Sequence, residues 1–332
     1  MTESIRTGLV GAGGLGTRLA TMAANDARGT VEAIVEIDDD RREQVGDQLG
    51  VPADRRFTDD PALYDAVDLD AVLIATPHAL HYDQIVRAIE HDVHVLCEKP
   101  LTVDLEHARD LRERDAGTDR VVMVGYQRHI QGPYYGAREH VRSWDDHPKF
   151  ITAQITQNWI NSQRGSWRTN PELSGGGQLY DTGSHILDVV LWASGLTPTA
   201  VTASMVRWDE DPDVDIQAAV TIEFAEDAVA SVAVSGDAPT VREHHRMWGD
   251  EGAVAIDGIG WNDRVLRTID PDGAERQPGV RDRVTNKVVA FLDAIETGEA
   301  PPSTTEHAFD VTAVTEAAYE ADRTGERVTI DR

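Results

Sequence analysis

In the first third of the chain, apolar residues fall in short continuous runs. Ile5–Val10, Val31–Ile37, Ala71–Ala75, Val93–Leu96 and Val121–Val124 are such runs. A parallel strand buried on both faces needs this pattern. Between them, Thr17–Ala27, His81–His91 and Asp104–Asp115 carry helical spacing, so strand and helix alternate as in an open parallel α/β sheet. After residue 128 the pattern changes. Val214, Ile216, Ala218, Val220, Ile222 and Phe224 take every second position, and Val229–Val234 answers across a short turn, which predicts a half-exposed antiparallel hairpin. Phe150–Ile160, Val241–Trp248, Ala253–Ile256 and Val265–Ile269 are further strand candidates. Pro133–Ser143 reads as a helix, and Val284–Glu296 and Glu306–Arg323 as two closing helices. The 332 residues exceed what one core usually holds. The predicted fold class is α/β: a Rossmann-type doubly wound domain over 1–128 and an α+β domain over 129–332. The second domain has a large, open, mostly antiparallel sheet, and its last helix is a candidate to pack back on the first domain.

Two glycine-rich stretches interrupt these patterns. Gly11-Ala12-Gly13-Gly14-Leu15-Gly16 lies between the first strand and the first helix, and Glu36 ends the next strand. This order is the context a dinucleotide fingerprint requires: glycines for a tight turn and close approach, a helix N-terminus for the pyrophosphate, an acid for the ribose. A carboxylate at 36 accepts from ribose hydroxyls and repels a 2′-phosphate, which favours NAD. Arg41 and Arg42, read as within reach of a loop, leave NADP as the alternative. Open sheets of this kind bind ligands at the carboxyl ends of their strands, here the Gly11 loop, Glu36, Thr76, Glu98-Lys99 and Tyr126-Gln127-Arg128. In the second stretch, Gly175-Gly176-Gly177 precedes Asp181, His185 and Asp188, spaced i, i+4 and i+7 along one helical face. An acid one turn from an imidazole suits proton transfer. Taken alone, the stretch equally fits a linker and a solvated helix.

Composition narrows the partners. Acids number 59 against 31 Lys+Arg, a formal net charge of −28, and only Lys99, Lys149 and Lys287 are lysines. Such a field repels nucleic acid and anionic membranes. Its self-repulsion calls for molar salt, where the Debye length falls to about 3 Å. The composition resembles that of haloarchaeal proteins, an expectation that full stability in salt-free buffer would contradict. The one cysteine, Cys97, allows no intramolecular disulfide and fits a reducing cytoplasm. No apolar run nears the ~20 residues of a membrane span, and the polar start Met1–Arg6 reads as no signal peptide. No metal is predicted: His78 and His81 have no third ligand spaced nearby, and hydride transfer at Asp181, His185 and Asp188 needs none. His81 reads as facing the cofactor loop, and His244-His245 as surface residues on opposite faces of a strand.

Gly11-x-Gly13-x-x-Gly16, Glu98-Lys99-Pro100, and Gly175–Gly177 followed by Asp181 and His185 together resemble the Gfo/Idh/MocA family of oxidoreductases. The resemblance covers essentially the whole chain. It implies a Rossmann domain joined to a domain whose open sheet forms the contacts of a homodimer or homotetramer, and oxidation or reduction of a sugar, cyclitol or related polyol with NAD(P). It also implies that Lys99, Asp181 and His185 form the catalytic centre, with Glu36 on the ribose and Thr76, Glu98 and Gln127 lining the nicotinamide side. Arg128 is kept, whereas His129 stands where many members carry a second arginine. Asn158, Trp167 and Arg168, ahead of the glycine run, join Lys99, Arg128, Asp181 and His185 as expected substrate contacts. In chemical terms, His185 has the pKa range of a base for a hydroxyl proton and Asp181 can orient substrate or imidazolium. Lys99 can stabilise developing alkoxide charge; whether it or His185 is the base stays open. Two other functions fit the same residues: an NAD-using glycosidase that oxidises transiently and eliminates, and a non-catalytic sensor, against which the intact trio speaks.

Overall fold

A computed structural model describes residues 4–332; the first three residues of the predicted polar start lie outside the described residues. Two compact units are present. The first takes the chain up to Thr102, Glu106–Gly125 and Val284–Thr305; the second takes Val103–Leu105, Tyr126–Arg283 and Glu306–Arg332.

The first unit runs β1 (Ile5–Val10), α1 (Gly14–Asn25), β2 (Gly29–Val35), α2 (Asp39–Leu49), β3 (Arg56–Phe57), α3 (Asp60–Ala66), β4 (Ala71–Ile74), α4 (His81–Glu90), β5 (His94–Cys97), α5 (Leu105–Ala116) and β6 (Val122–Val124). Its six strands lie in the order β3-β2-β1-β4-β5-β6, all parallel. That is the Rossmann strand order, with ligands expected where it reverses, between β1 and β4. β4 is buried at every position, as its unbroken apolar run requires. Arg41 and Arg42, read as within reach of a loop, are helical. They belong to the first turns of α2, whose cap Asp38 accepts from the Arg41 N–H at 2.8 Å. α2 escapes a reading of periodicity because only Val45 and Gly46 of it are buried.

The second unit runs α6 (Gly132–Arg142), β7 (Phe150–Thr156), α7 (Trp159–Gln163), α8 (Pro171–Ser174), a π-turn (Leu179–Gly183), α9 (Ser184–Ser194), β8 (Pro198–Trp208), β9 (Asp211–Phe224), β10 (Val229–Ser235), β11 (Arg242–Gly249), β12 (Gly252–Ile259), β13 (Asp263–Ile269) and β14 (Glu275–Arg276). The chain then enters α10 (Lys287–Thr297), continues into α11 (Thr305–Thr324) and ends with β15 (Val328–Thr329). The nine strands order as β14-β13-β12-β11-β7-β10-β9-β8-β15, antiparallel except for β7 beside β10. The predicted hairpin is β9–β10, with Val220 opposite Val232. α9 is buried along its whole length and packs on β7, β10 and α6. On the open face, Phe150 and Trp248 are cross-strand neighbours, and both are exposed.

α10 belongs to the first unit, and α11 from Glu306 onwards is counted in the second. α10 buries Val288, Phe291 and Leu292. Its Asp293 and Glu296 both take the Arg28 guanidinium, at 2.6 and 3.0 Å. Among the described residues no helix is long and apolar enough to cross a membrane.

Candidate functional site

In the first unit the glycine loop divides by steric demand. Gly11 has φ +90°, and a Cβ there would stand 2.8 Å from the Ala75 carbonyl oxygen. A Cβ on Gly16 would stand 1.9 Å from the Gly11 carbonyl oxygen. These two glycines let strand, turn and helix close on each other. Gly13 and Gly14 differ: a Cβ on either would meet nothing within 4 Å. Their side of the loop is open, and Gly13 brings no side chain to cap α1. The first amides of the helix therefore border a cradle with positive dipolar character. This arrangement fits a dinucleotide pyrophosphate, with Gly11, Ala12, Gly13, Gly14, Leu15 and Gly16 as its frame.

Glu36 is buried at the end of β2. One carboxylate oxygen accepts from the Ala12 N–H at 3.0 Å and the other from Asp38 N–H at 3.1 Å. The acid thus braces the loop, and each oxygen keeps a lone pair for a hydroxyl donor. Arg42 donates to the Glu36 carbonyl at 2.8 Å and pairs with Asp39 at 2.6 Å, while Arg41 is exposed. Thr76 donates its hydroxyl to Gln84 at 2.6 Å.

His81, expected to face the cofactor loop, has both ring nitrogens on backbone carbonyls. It is fully buried, with Nδ1 2.8 Å from the Pro100 carbonyl and Nε2 3.1 Å from that of Thr76. Both ring nitrogens are spent joining the turns after β4 and β5. Burial pushes its pKa down, against the pull of the two carbonyls. Glu98 is buried and ion-paired with Lys287. Lys99 is partly exposed in the same turn, and its bond to Pro100 is cis. Cys97 is buried, and desolvation raises its pKa well above the usual thiol range, as for a packing residue.

In the second unit, Gln127, Arg128 and His129 share the 3₁₀ turn Gln127–Ile130. Arg128, expected on substrate, is buried: Nε and Nη2 reach the two oxygens of Glu243 at 2.9 and 2.6 Å. Arg264 and Tyr134 meet the same carboxylate at 2.7 and 2.6 Å, and His245 Nε2 stands at 2.9 Å. Burial would raise the Glu243 pKa, but the Arg128 charge and its hydrogen bonds outweigh it and hold the acid well below its usual range. His245, read as surface, is in this buried network, because its strand face is the one α6 covers. His129 replaces the expected arginine and pairs with Asp188 at 2.8 Å while stacking on Trp192 at 4.0 Å between centroids. Asp188 is therefore a buried partner of His129 and a structural residue.

The glycine run has a packing reason. Gly175 is left-handed, at φ +82°. A Cβ on Gly176 would fall 2.2 Å from Tyr319 Oη, and one on Gly177 2.1 Å from the Asp215 carbonyl oxygen. Asp215 is buried and accepts from the Gly177 and Leu179 N–H groups, each at 2.8 Å. The helix then opens with a π-turn, a local widening that clusters at functional sites. The simple i, i+4 spacing therefore does not describe Asp181 and His185.

Asp181 lies in that turn. Its Oδ2 accepts from Trp159 Nε1 at 2.7 Å and stands 3.3 Å from Arg168 Nε. Arg168 also covers the Trp167 ring, 4.3 Å from its centroid. Asp181, Arg168 and Trp167 thus come together, whereas Asn158 is exposed and accepts from Asn161 at 2.6 Å. His185 is buried and meets the Tyr126 ring edge-on, centroids 5.9 Å apart. Trp159 is both packed in the core with Ile160 and Val214 and the donor that orients Asp181. Gln157 was missed; its amide donates to Gln178 at 3.0 Å and to Thr182 at 2.5 Å beneath the π-turn. Among the described residues no His, Cys, Asp or Glu cluster could hold a metal.

Residues 5–126 match the GFO_IDH_MocA model, described as an oxidoreductase family with an NAD-binding Rossmann fold, and residues 147–255 match the GFO/IDH/MocA C-terminal domain. The chain is 27% identical to a D-xylose 1-dehydrogenase (NADP(+)) of Haloferax volcanii over 98% of its own length and 99% of that protein. It is 26% identical to an inositol 2-dehydrogenase of an Arthrobacter species, covering 99% and 97%. A crystal structure of aldose-aldose oxidoreductase from Caulobacter crescentus superposes with a TM-score of 0.85 at 24% identity, covering 99% of this chain and 100% of that one.

Proposed function

Because this chain belongs to the Gfo/Idh/MocA family of oxidoreductases, we propose that it moves a hydride between a CH–OH group of a sugar, cyclitol or related polyol and a nicotinamide cofactor, with Lys99, Asp181 and His185 as catalytic residues. The observation that carries the reading is Asp181 fixed by Trp159 and Arg168 in a π-turn that leads directly into His185. The xylose and inositol dehydrogenases it is similar to act, by name, on such polyhydroxylated compounds.

The cofactor supplies the hydride acceptor or donor, and the Gly11–Gly16 loop with Glu36 is where it would be held. The protein's task is to handle the hydroxyl proton and the charge it leaves. His185, largely shielded from water, takes the proton in the oxidation direction and returns it in reduction. Asp181, with its orientation fixed, directs the substrate hydroxyl or steadies the imidazolium. Lys99 donates to the same oxygen as negative charge builds on it. Arg168 and Trp167 offer a guanidinium and an aromatic face to a hydroxylated ring, with Asn158 at the rim. Thr76 and Gln127 are the residues that would line the nicotinamide side of a bound cofactor. Glu36 favours NAD over NADP, with exposed Arg41 the group through which NADP would be accepted. A homodimer or homotetramer forms through the open sheet face of Phe150 and Trp248, in a reducing cytoplasm. Light scattering of Trp248→Glu tests this; an unchanged mass would remove the face from the interface.

A panel of aldoses, inositols and sugar acids with NAD and NADP in molar KCl tests the function, read as nicotinamide absorbance. Reduced cofactor should form in proportion to a carbonyl product. Glycoside cleavage with no net reduced cofactor would replace the dehydrogenase reading with the transient-oxidation one.

A further inference from the structure

With three lysines in 332 residues, each has a traceable role. Lys149 is exposed and ion-paired with Asp250. Lys287 opens α10 and is only 7% exposed. Its ammonium is ion-paired with Glu98 and lies 3.3 Å from the Gly125 carbonyl oxygen. A buried ion pair is a poor stability device, since an apolar pair of similar volume often serves as well or better. Room has nonetheless been kept for this one. A Cβ on Gly125 would stand 2.9 Å from Glu98 Oε2 and 3.2 Å from Lys287 Nζ.

Glu98 directly precedes Lys99. Its N–H donates to the Ile74 carbonyl at 2.9 Å, so the backbone entering the turn is fixed. On the other side of Lys99, the Pro100 carbonyl is held by His81 Nδ1. Two titratable groups flank the Glu98–Lys99 turn from β5 and α4, Cys97 and His81. Burial pushes the Cys97 thiol up and the His81 imidazole down, so both are neutral near pH 7. Glu98 is then the anion next in the chain to Lys99, and Lys287 is its counter-ion.

We propose that Lys287 is a positioning residue for Lys99: it pins the Glu98 side chain and cancels the negative charge that would otherwise act on the Lys99 ammonium. The proposal rests on Lys99 being catalytic, but its test does not depend on turnover. Reductive methylation with ¹³C-formaldehyde labels the few amines of the chain, and Lys99→Arg assigns the Lys99 resonance. In Lys287→Met the Lys99 resonance should titrate about half a unit or more higher than in wild type, because Glu98 has lost its counter-ion. Turnover should fall about tenfold or more. Lys287→Met combined with Glu98→Gln should bring the titration back towards wild type, and Lys287→Arg should leave it there. Should Lys287→Met fail to fold, Glu98→Gln alone carries the test, with the Lys99 titration displaced downward by the unpaired Lys287. An unmoved Lys99 titration in the variant that folds overturns the proposal, whatever turnover does. Full turnover in Lys99→Met would instead remove Lys99 from catalysis while leaving the titration result standing.

Discussion

Gly13→Ala and Gly16→Ala separate the two jobs of the glycine loop. Gly13 has φ −62° and ψ 179°, which alanine adopts freely, and its added methyl meets no protein atom within 4 Å. With no strain in the folded state, the smaller entropy of the unfolded chain should stabilise Gly13→Ala by about 0.4–1 kcal/mol. Gly16→Ala is the opposite case. Its methyl would start 1.9 Å from the Gly11 carbonyl oxygen, a backbone atom that cannot rotate away. Relief needs α1 to move off the β1 turn, at a cost of about 1–3 kcal/mol or more. A phosphate oxygen bound to the loop amides sits about 2.9 Å from nitrogen, closer than the ~3.5 Å that a methyl in the cradle allows. Gly13→Ala should therefore weaken NADH binding at least tenfold, about 1.4 kcal/mol, while melting at or above wild type. The assays are NADH fluorescence titration and thermal melts, both in molar KCl. Wild-type affinity in Gly13→Ala, or wild-type melting in Gly16→Ala, would refute the division.

Two predictions concern pH and salt. Burial and the neighbouring His129 lower the His307 pKa to about 4 from its usual 6.5. The unfolded chain therefore binds this proton first as pH falls, so stability from a neutral His307 is complete above pH 6.5 and lost on the way down to about 4, at most about 3 kcal/mol. His307→Gln should flatten that part of the melting-temperature profile, and an identical acid slope would contradict the assignment. With a net charge of −28, the melting temperature should rise steeply between dilute buffer and molar KCl; a flat response would remove the halophilic reading.

Much of the fold was legible because burial leaves a periodic trace. Both-face burial wrote β4 as Ala71–Ile74, and one-face burial wrote β9 as alternate apolar positions from Val214 to Phe224. α2 left no such trace, since most of its residues face solvent. Chain return is also invisible locally: nothing in Lys287–Thr297 signals that it packs with residues some 260 positions earlier, as Arg28–Asp293 does. In the site, residue types were legible and partners were not. Arg128 reads as a substrate contact and His245 as a surface residue until Glu243 is found between them. His81 reads as facing the cofactor loop, and its sequence gives no sign that both its nitrogens stand on carbonyls. The glycine run pointed to close approach, and the approaching groups within its own unit are Asp215 and Tyr319. The π-turn has no composition signature, so the acid–imidazole spacing read as an ordinary helix turn.

The proton-transfer role of His185 is tested most directly by comparing wild type with His185→Ala on the best substrate of the panel, measuring turnover and NADH affinity together. Loss of a general base should lower turnover by about 10²–10⁴-fold while NADH affinity stays within twofold. Turnover at the wild-type rate, with affinity unchanged, would contradict it.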